Sequence, residues 1–415
     1  MELIRELCSI EGRGPGTDAE RRAANMLGAR LKRLSREAHV EPTHVHPQYA
    51  LVHALHATLA IAGSVLATVQ PAAGFALVLV TAVSMYLDLN TRAYLLRRLF
   101  FRRASQNVVS PGRRPEAPLR LLLVAHYDAP RSGWIFGERG LRREQRLGPR
   151  GRVLLGPWRI VFWLGVAPLL PIIGAQMAGV EGTWLSALQL IPTVVLAVSA
   201  FLLLDIALSK TTPGAYANAS GVAAVLSAAE RIEAEDLAPG LDVWVVLPGG
   251  GEALAEGMRS FVRDNRERLG RERTVILNVD SVSYGSVHYE TSEGAVIGTR
   301  LDGGLAEACA ALAAAAGAGD SSDATAAPVR SAHVTDAQAA AIRRRRAITI
   351  TGLADGLPPP WRRSHEDTPE RVVEGALTRA TGFVVDLARL LDREAGRATR
   401  RPAGAHGALT GRPLV

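Results

Sequence analysis

The stretch LRLLLVAHYDAP, Leu119 to Pro130, reads as a buried strand that ends in polar residues. Other stretches give the same reading. Ser220 to Glu235 is a helical stretch, LDVWVVLPGGGEA a strand ending in glycines, and TVILNVDSVSYG and AITITGL are further strands. DTPERVVEGALTRATGFVVDLARLLDRE is a long amphipathic helix with Asp367 or Thr368 as its cap and Pro369 near its first turn. Strands alternating with helices predict an open, largely parallel sheet. Ligands of such sheets bind beyond the carboxyl ends of strands, which is where His126, Asp128, Glu252 and Asp280 fall.

The chain has 415 residues, 48% of them hydrophobic, enough for a full-sized core and something apolar besides. Its formal net charge of +8 is nearly all arginine, with Lys32 and Lys210 the only lysines. Without interleaved aromatics, this charge argues against a nucleic-acid partner and fits the flanks of membrane helices. Cys8 and Cys309 lie far apart and suggest neither a disulfide framework nor a thiolate metal site, which fits a reducing compartment. The opening MELIRELCSIEGRGPGTDAERRAANML is polar and helical and does not read as a signal peptide.

Four apolar segments stand out: Tyr49 to Val69, Gly74 to Leu89, Ile160 to Val180 and Trp184 to Leu208. They pair into two hairpins whose links, QPAAG and EG, carry no Lys or Arg. The other flanks hold Arg92, Arg97, Arg98, Arg102, Arg103, Arg143, Arg146, Arg150, Arg152 and Arg159. The positive-inside rule therefore predicts a multi-pass cell-membrane protein whose termini and polar segments face the cytosol. The expected plan is a helical opening (1–48), a first transmembrane hairpin (49–89) and a cytosolic segment with the first site strand (90–159). A second hairpin (160–208), the main domain (209–394) and a disordered tail (395–415) follow. The alanine-rich Ala311 to Ala340 reads as a loose surface excursion.

Taken in order, AHYDA, PGAYANASG, GGGEALAEGMRSFV, LNVDS and RRSHEDTPE resemble the motif series of metallopeptidase family twenty-eight, the clan of zinc aminopeptidases with two cocatalytic metals. EGRGPGTDAERRAANML looks like that family's opening helix. The resemblance covers roughly Glu11 to Leu391 apart from the membrane segments. It implies a three-layer α/β fold with a mixed, largely parallel central sheet, here interrupted by two transmembrane hairpins.

Carried over residue by residue, the resemblance makes His126 a zinc ligand and Asp128 the carboxylate that orients it. It makes Asp280 a ligand of the other metal and His365 a late histidine ligand, although Asp367 and Thr368 follow His365 two residues sooner than in the common form. The loop TPGAYANASGVAAVL, Thr212 to Leu226, has the small residues and the N-capping Asn218 and Ser220 of a binding loop. It carries no charge, because Ala217 stands where the family has the metal-bridging Asp. Of the family's two adjacent glutamates, Glu252 fills the ligand position and Gly251 the general-base position. Losing a positioned base typically removes about 10²–10⁴-fold in rate.

The resemblance with these departures predicts weak or partial zinc, impaired catalysis, and a role in binding a peptide or protein partner or in regulation. The alternative is an active membrane-bound aminopeptidase using one metal or a substitute base. Asp205, Asp336, His333 and Glu256 are the candidate substitutes, and His53 with His56 share a helix face near a membrane boundary. The run Arg343 to Arg346 reads as solvated or in contact with lipid headgroups.

Overall fold

A computed structural model of the chain describes residues 1–317 and 326–400. Its strands are β1 (His39–Val45), β2 (Arg103–Ser110), β3 (Leu119–Val124), β4 (Leu241–Leu247), β5 (Thr274–Asp280), β6 (Ser286–Glu293), β7 (Thr299–Arg300), β8 (Ala327–Arg330) and β9 (Arg346–Leu353). They form one sheet in the order β1-β2-β4-β3-β5-β9-β6-β7, with β8 beside β6. The centre, β4-β3-β5-β9, is parallel, and β1, β2 and β6 join antiparallel.

Alternation along the central strands builds both cores. Leu119, Leu121 and Leu123 of β3 join Leu241, Val243 and Val245 of β4 under the helices Asp18–Arg33, Ser220–Ala234 and Glu374–Arg400. Leu122 and Val124, with Trp244 and Val246, point the other way, onto Phe261 and Ala337 of the helices Glu256–Asp264 and Asp336–Ala341. The domain is thus a sheet between two helical layers.

Four helices are long and apolar enough to cross a membrane: Tyr49–Ala67, Pro71–Leu89, Pro157–Met177 and Thr183–Leu208. The first two are inserted between β1 and β2, the other two between β3 and β4. Close approach of the first pair depends on Gly63 and Gly74, where added Cβ atoms would lie 2.7 Å from Val78 and 2.5 Å from Ala67. Val80, Leu190, Ile191 and Phe201 stay exposed, an apolar belt unsuited to water.

Several boundaries differ from expectation. Pro71, read as part of a link, opens the second apolar helix, as its fixed φ favours. The third runs three residues earlier than its apolar composition suggested. Strands β1, β2, β6, β7 and β8 had no strong signal, since edge strands such as β1 keep polar and exposed residues. The low-complexity Ala311 to Ala340 is no loose excursion where described: it finishes the helix Gly303–Gly317, forms β8 and starts the helix Asp336–Ala341, whose Ala337, Ala339 and Ala340 are fully buried. The last helix begins at Glu374 and continues to Arg400, so the first residues of the expected disordered tail are helical; 401–415 lie outside the described residues.

Candidate functional site

Three parallel strands deliver polar groups to one rim. His126 and Asp128 follow β3, Gly251 and Glu252 follow β4, and Asp280 is the last residue of β5. Asp128 is the hub. Its Oδ1 accepts from the Gly251 N–H at 2.8 Å, its Oδ2 from the Glu252 N–H at 2.9 Å, and Oδ1 lies 3.2 Å from His126 Nδ1. His126 Nε2 in turn lies 3.9 Å from Asp280 Oδ2. Burial alone would lower the imidazole pKa, but the Asp128 hydrogen bond and the charges of Asp128, Asp280 and Asp336 outweigh it and push it up to about 10.

The uncharged loop is held from both ends. Asn218 donates to the carbonyls of His126 and Val279 at 3.3 and 3.2 Å, and its Oδ1 accepts from Gly221 and Ser281 at 3.1 and 2.8 Å. One amide side chain thereby ties the ends of β3 and β5 to the start of a helix. Asp367, expected to cap the last helix, turns instead to this loop and accepts from the Tyr216 N–H at 2.7 Å and the Ala217 N–H at 3.3 Å. Burial pushes its pKa up to about 6 despite those bonds. Ala217 borders the cavity with only its methyl group to offer.

The glycines after β4 have no spare room. Gly250 has φ +62°, and its N–H is accepted by Glu20, a carboxyl that burial raises to about 8. A Cβ on Gly251 would lie 2.3 Å from His126 Cγ. A side chain at 251 would therefore collide with the histidine ring.

These groups open into a cavity of about 470 Å³, whose lining includes His126, Ala217, Gly251, Glu252, Asp280 and Asp336. His365 is not among them and stays exposed. The same segment sends Arg362 and Arg363 into the cavity instead. Arg363 Nη2 donates to Glu252 Oε2 at 2.7 Å, and Arg362 Nη1 lies 3.0 Å from His333 Nε2. Burial pushes the Glu252 carboxyl up, and Arg363 and His126 partly offset that. Left-handed backbone near this site occurs at Leu254, Ala255, Ser281 and Arg363, each costing on the order of 1 kcal/mol or more.

Of the candidate substitutes, Asp336 and His333 reach the cavity. Asp336 is 1% exposed and neither of its carboxylate oxygens has a hydrogen-bond partner. Beside it, burial pushes up Glu290 and Glu293, the latter to about 7, the Glu293 charge adds to the shift of Glu290, and Thr335 donates to Glu293 at 2.5 Å. The Thr335-Asp336 start of an alanine-rich helix was a legible capping signal for this segment. Asp205 is used elsewhere, accepting from the Trp134 N–H at 2.6 Å. Glu256 pairs with His46 at 2.8 Å, His56 with Ser84 at 2.9 Å, and His53 stacks on His56. Of the arginine run, Arg343 donates to the Ala339 carbonyl and Arg346 pairs with Asp302, while Arg344 is exposed.

The zinc implied by the resemblance does not fit this donor set. Glu252 is committed to a guanidinium, Ala217 has no donor, and His365 is exposed and does not line the cavity. Among the described residues no group of three or more His, Cys, Asp or Glu side chains is placed to hold a metal ion.

Residues 201–388 match the model of Peptidase family M28. The match includes Ala217, Gly251, Glu252, Asp280 and His365; His126 and Asp128 lie before it. No curated protein matches the chain. Among solved structures, a Zn-dependent exopeptidase from Parabacteroides distasonis superposes with a TM-score of 0.52 at 13% identity, covering 94% of this chain and 96% of that one. BSAP, a zinc aminopeptidase from Bacillus subtilis, gives 0.53 at 11% identity over 94% and 93%. A glutaminyl cyclase from Tannerella forsythia gives 0.51 at 14% identity over 94% and 96%. Such identities speak for the fold alone. The chain thus has a zinc-aminopeptidase-like fold, and its segment 201–388 is similar to Peptidase family M28.

Proposed function

We propose that this is a multi-pass membrane protein whose peptidase-like domain faces the cytosol and binds a peptide or protein partner without efficient hydrolysis. The observation that carries the reading is the 2.7 Å contact between Arg363 and Glu252. It puts a fixed cation on the carboxylate that zinc would need. Ala217 and Gly251 supply neither a bridge nor a base, and His126 fills the space where a side chain at 251 would stand. What remains is binding chemistry: a doubly hydrogen-bonded Asp128, an imidazole whose pKa its acidic neighbours push up, and buried carboxyls around one cavity. The apolar belt and the arginine asymmetry support the membrane assignment.

One observation favours the rival reading, an active aminopeptidase with a substitute carboxylate: Asp336 lines the same cavity with both oxygens unpartnered. Zinc content of the purified protein, measured together with hydrolysis of a panel of aminoacyl substrates, separates the two. Substoichiometric zinc without turnover supports binding. Bound zinc with turnover lost in Asp336→Asn overturns it.

A further inference from the structure

The cavity does not end at the peptidase-like domain. Its walls continue onto Val161 of the third apolar helix and along one face of the fourth, through Ile206, Leu202, Val198, Val195 and Val194. Val194 and Val198 are 50% and 55% exposed, so this wall is open on the side where a bilayer would lie. Val194 lies about 14 residues before the helix end at Leu208, roughly 20 Å along the axis, which reaches the middle of a membrane. A water-soluble peptide has no use for such a wall.

The polar end is equally specific. Glu252 is matched by Arg363, and Asp280 accepts from Ser281 at 2.6 Å and faces His126. Asp336 is different: buried, on the cavity wall, with both oxygens unpartnered. A buried carboxylate without a donor is costly, and its natural complement is a cation with several N–H groups.

We propose that the cavity takes a long-chain primary amine from the bilayer, its ammonium group on Asp336 and its aliphatic chain along Val194, Val198 and Leu202. This rests on the reading of the cleft as a non-hydrolytic binding site and departs from it in the ligand, a membrane amine in place of a peptide. The chain lies along the exposed face of the fourth apolar helix without leaving the membrane, and the head reaches the strand ends. The ammonium is selected by the unpartnered Asp336 rather than by net charge, since Arg143, Arg152, Arg330, Arg362 and Arg363 also line the cavity, and the apolar wall gives short amines no purchase.

Binding of dodecylamine, dodecanol, dodecanoate and butylamine to the full chain in nanodiscs tests this. The expected order is dodecylamine tightest, dodecanol at least about tenfold weaker and butylamine weakest, and dodecanoate binding more tightly than dodecylamine, through the arginines that line the cavity, overturns the proposal. Asp336→Asn should remove the preference for dodecylamine over dodecanol, while Val198→Trp, which fills the wall, should weaken both. Equal binding of amine and alcohol to the unaltered chain, or an amine preference that survives Asp336→Asn, overturns the proposal. So does an apolar peptide with a free N-terminus binding through Asp336 where dodecylamine does not. Zinc-dependent turnover would refute the non-hydrolytic reading while leaving this one standing if the amine preference still followed Asp336.

Discussion

Arg363 Nη2 lies 2.7 Å from Glu252 Oε2, and this contact joins the segment before the last helix to the loop after β4. Arg363 adopts φ +59° there, so the backbone accepts a left-handed conformation to hold the side chain in the cavity. Arg363→Met is expected to destabilise by about 1–4 kcal/mol, between the values for exposed and buried pairs, because it strands the Glu252 carboxylate. Glu252→Gln combined with Arg363→Met should recover much of that loss. Denaturant titration of the single and double variants measures the coupling; additive losses would show that the pair contributes nothing jointly.

Removing the guanidinium should also change metal affinity. Arg363→Met with Ala217→Asp gives the cavity a freed Glu252 and a carboxylate beside His126 and Asp280. Zinc affinity by competition with a chromogenic chelator is expected to rise at least about tenfold over the unaltered chain, and Ala217→Asp alone should do far less.

Gly251→Glu, by contrast, is not a simple restoration of a base. Its Cβ would meet His126 Cγ at 2.3 Å, so the ring must move before the carboxylate can be placed. Even Gly251→Ala is expected to cost about 1–3 kcal/mol by overpacking. An unchanged melting temperature for Gly251→Ala would mean that His126 yields freely.

Asp336 sets a pH dependence. Burial raises its pKa from 3.8 to about 7, with His126 opposing, so between about pH 4 and pH 7 the folded chain holds a proton that the unfolded chain has lost. Its contribution favours folding at low pH and declines as pH rises through that window. Asp336→Asn, which mimics the neutral form, should be more stable than the unaltered chain at pH 8, by up to about 4 kcal/mol, and nearly equal at pH 4. Thermal unfolding in detergent at both pH values measures the difference, and parallel profiles would contradict it.

Orientation follows from charge. In a Cys8→Ser background, Glu181→Cys in the second hairpin's link should react with an impermeant thiol reagent in intact cells. Glu116→Cys, in the exposed turn between β2 and β3, should react only after lysis. The reverse pattern would place the domain outside the cytosol.

The parallel centre was legible because each strand's buried run and its polar end are adjacent in sequence: Leu119 to Val124 followed by His126, and Thr274 to Val279 followed by Asp280. Chain direction then put those polar groups on one rim, which is a property of parallel sheets rather than of any contact. The four apolar helices were legible for a similar reason, since length and composition are local quantities. Nothing local revealed that a left-handed residue would turn Arg363 inward and leave His365 exposed, because that backbone state is held by surrounding packing. Nor did composition show that an alanine-rich segment would bury Asp336 beneath the sheet, or that the fourth apolar helix would wall the same cavity. Those arrangements join segments more than a hundred residues apart, and only packing the hairpins against the sheet decides which side chains meet.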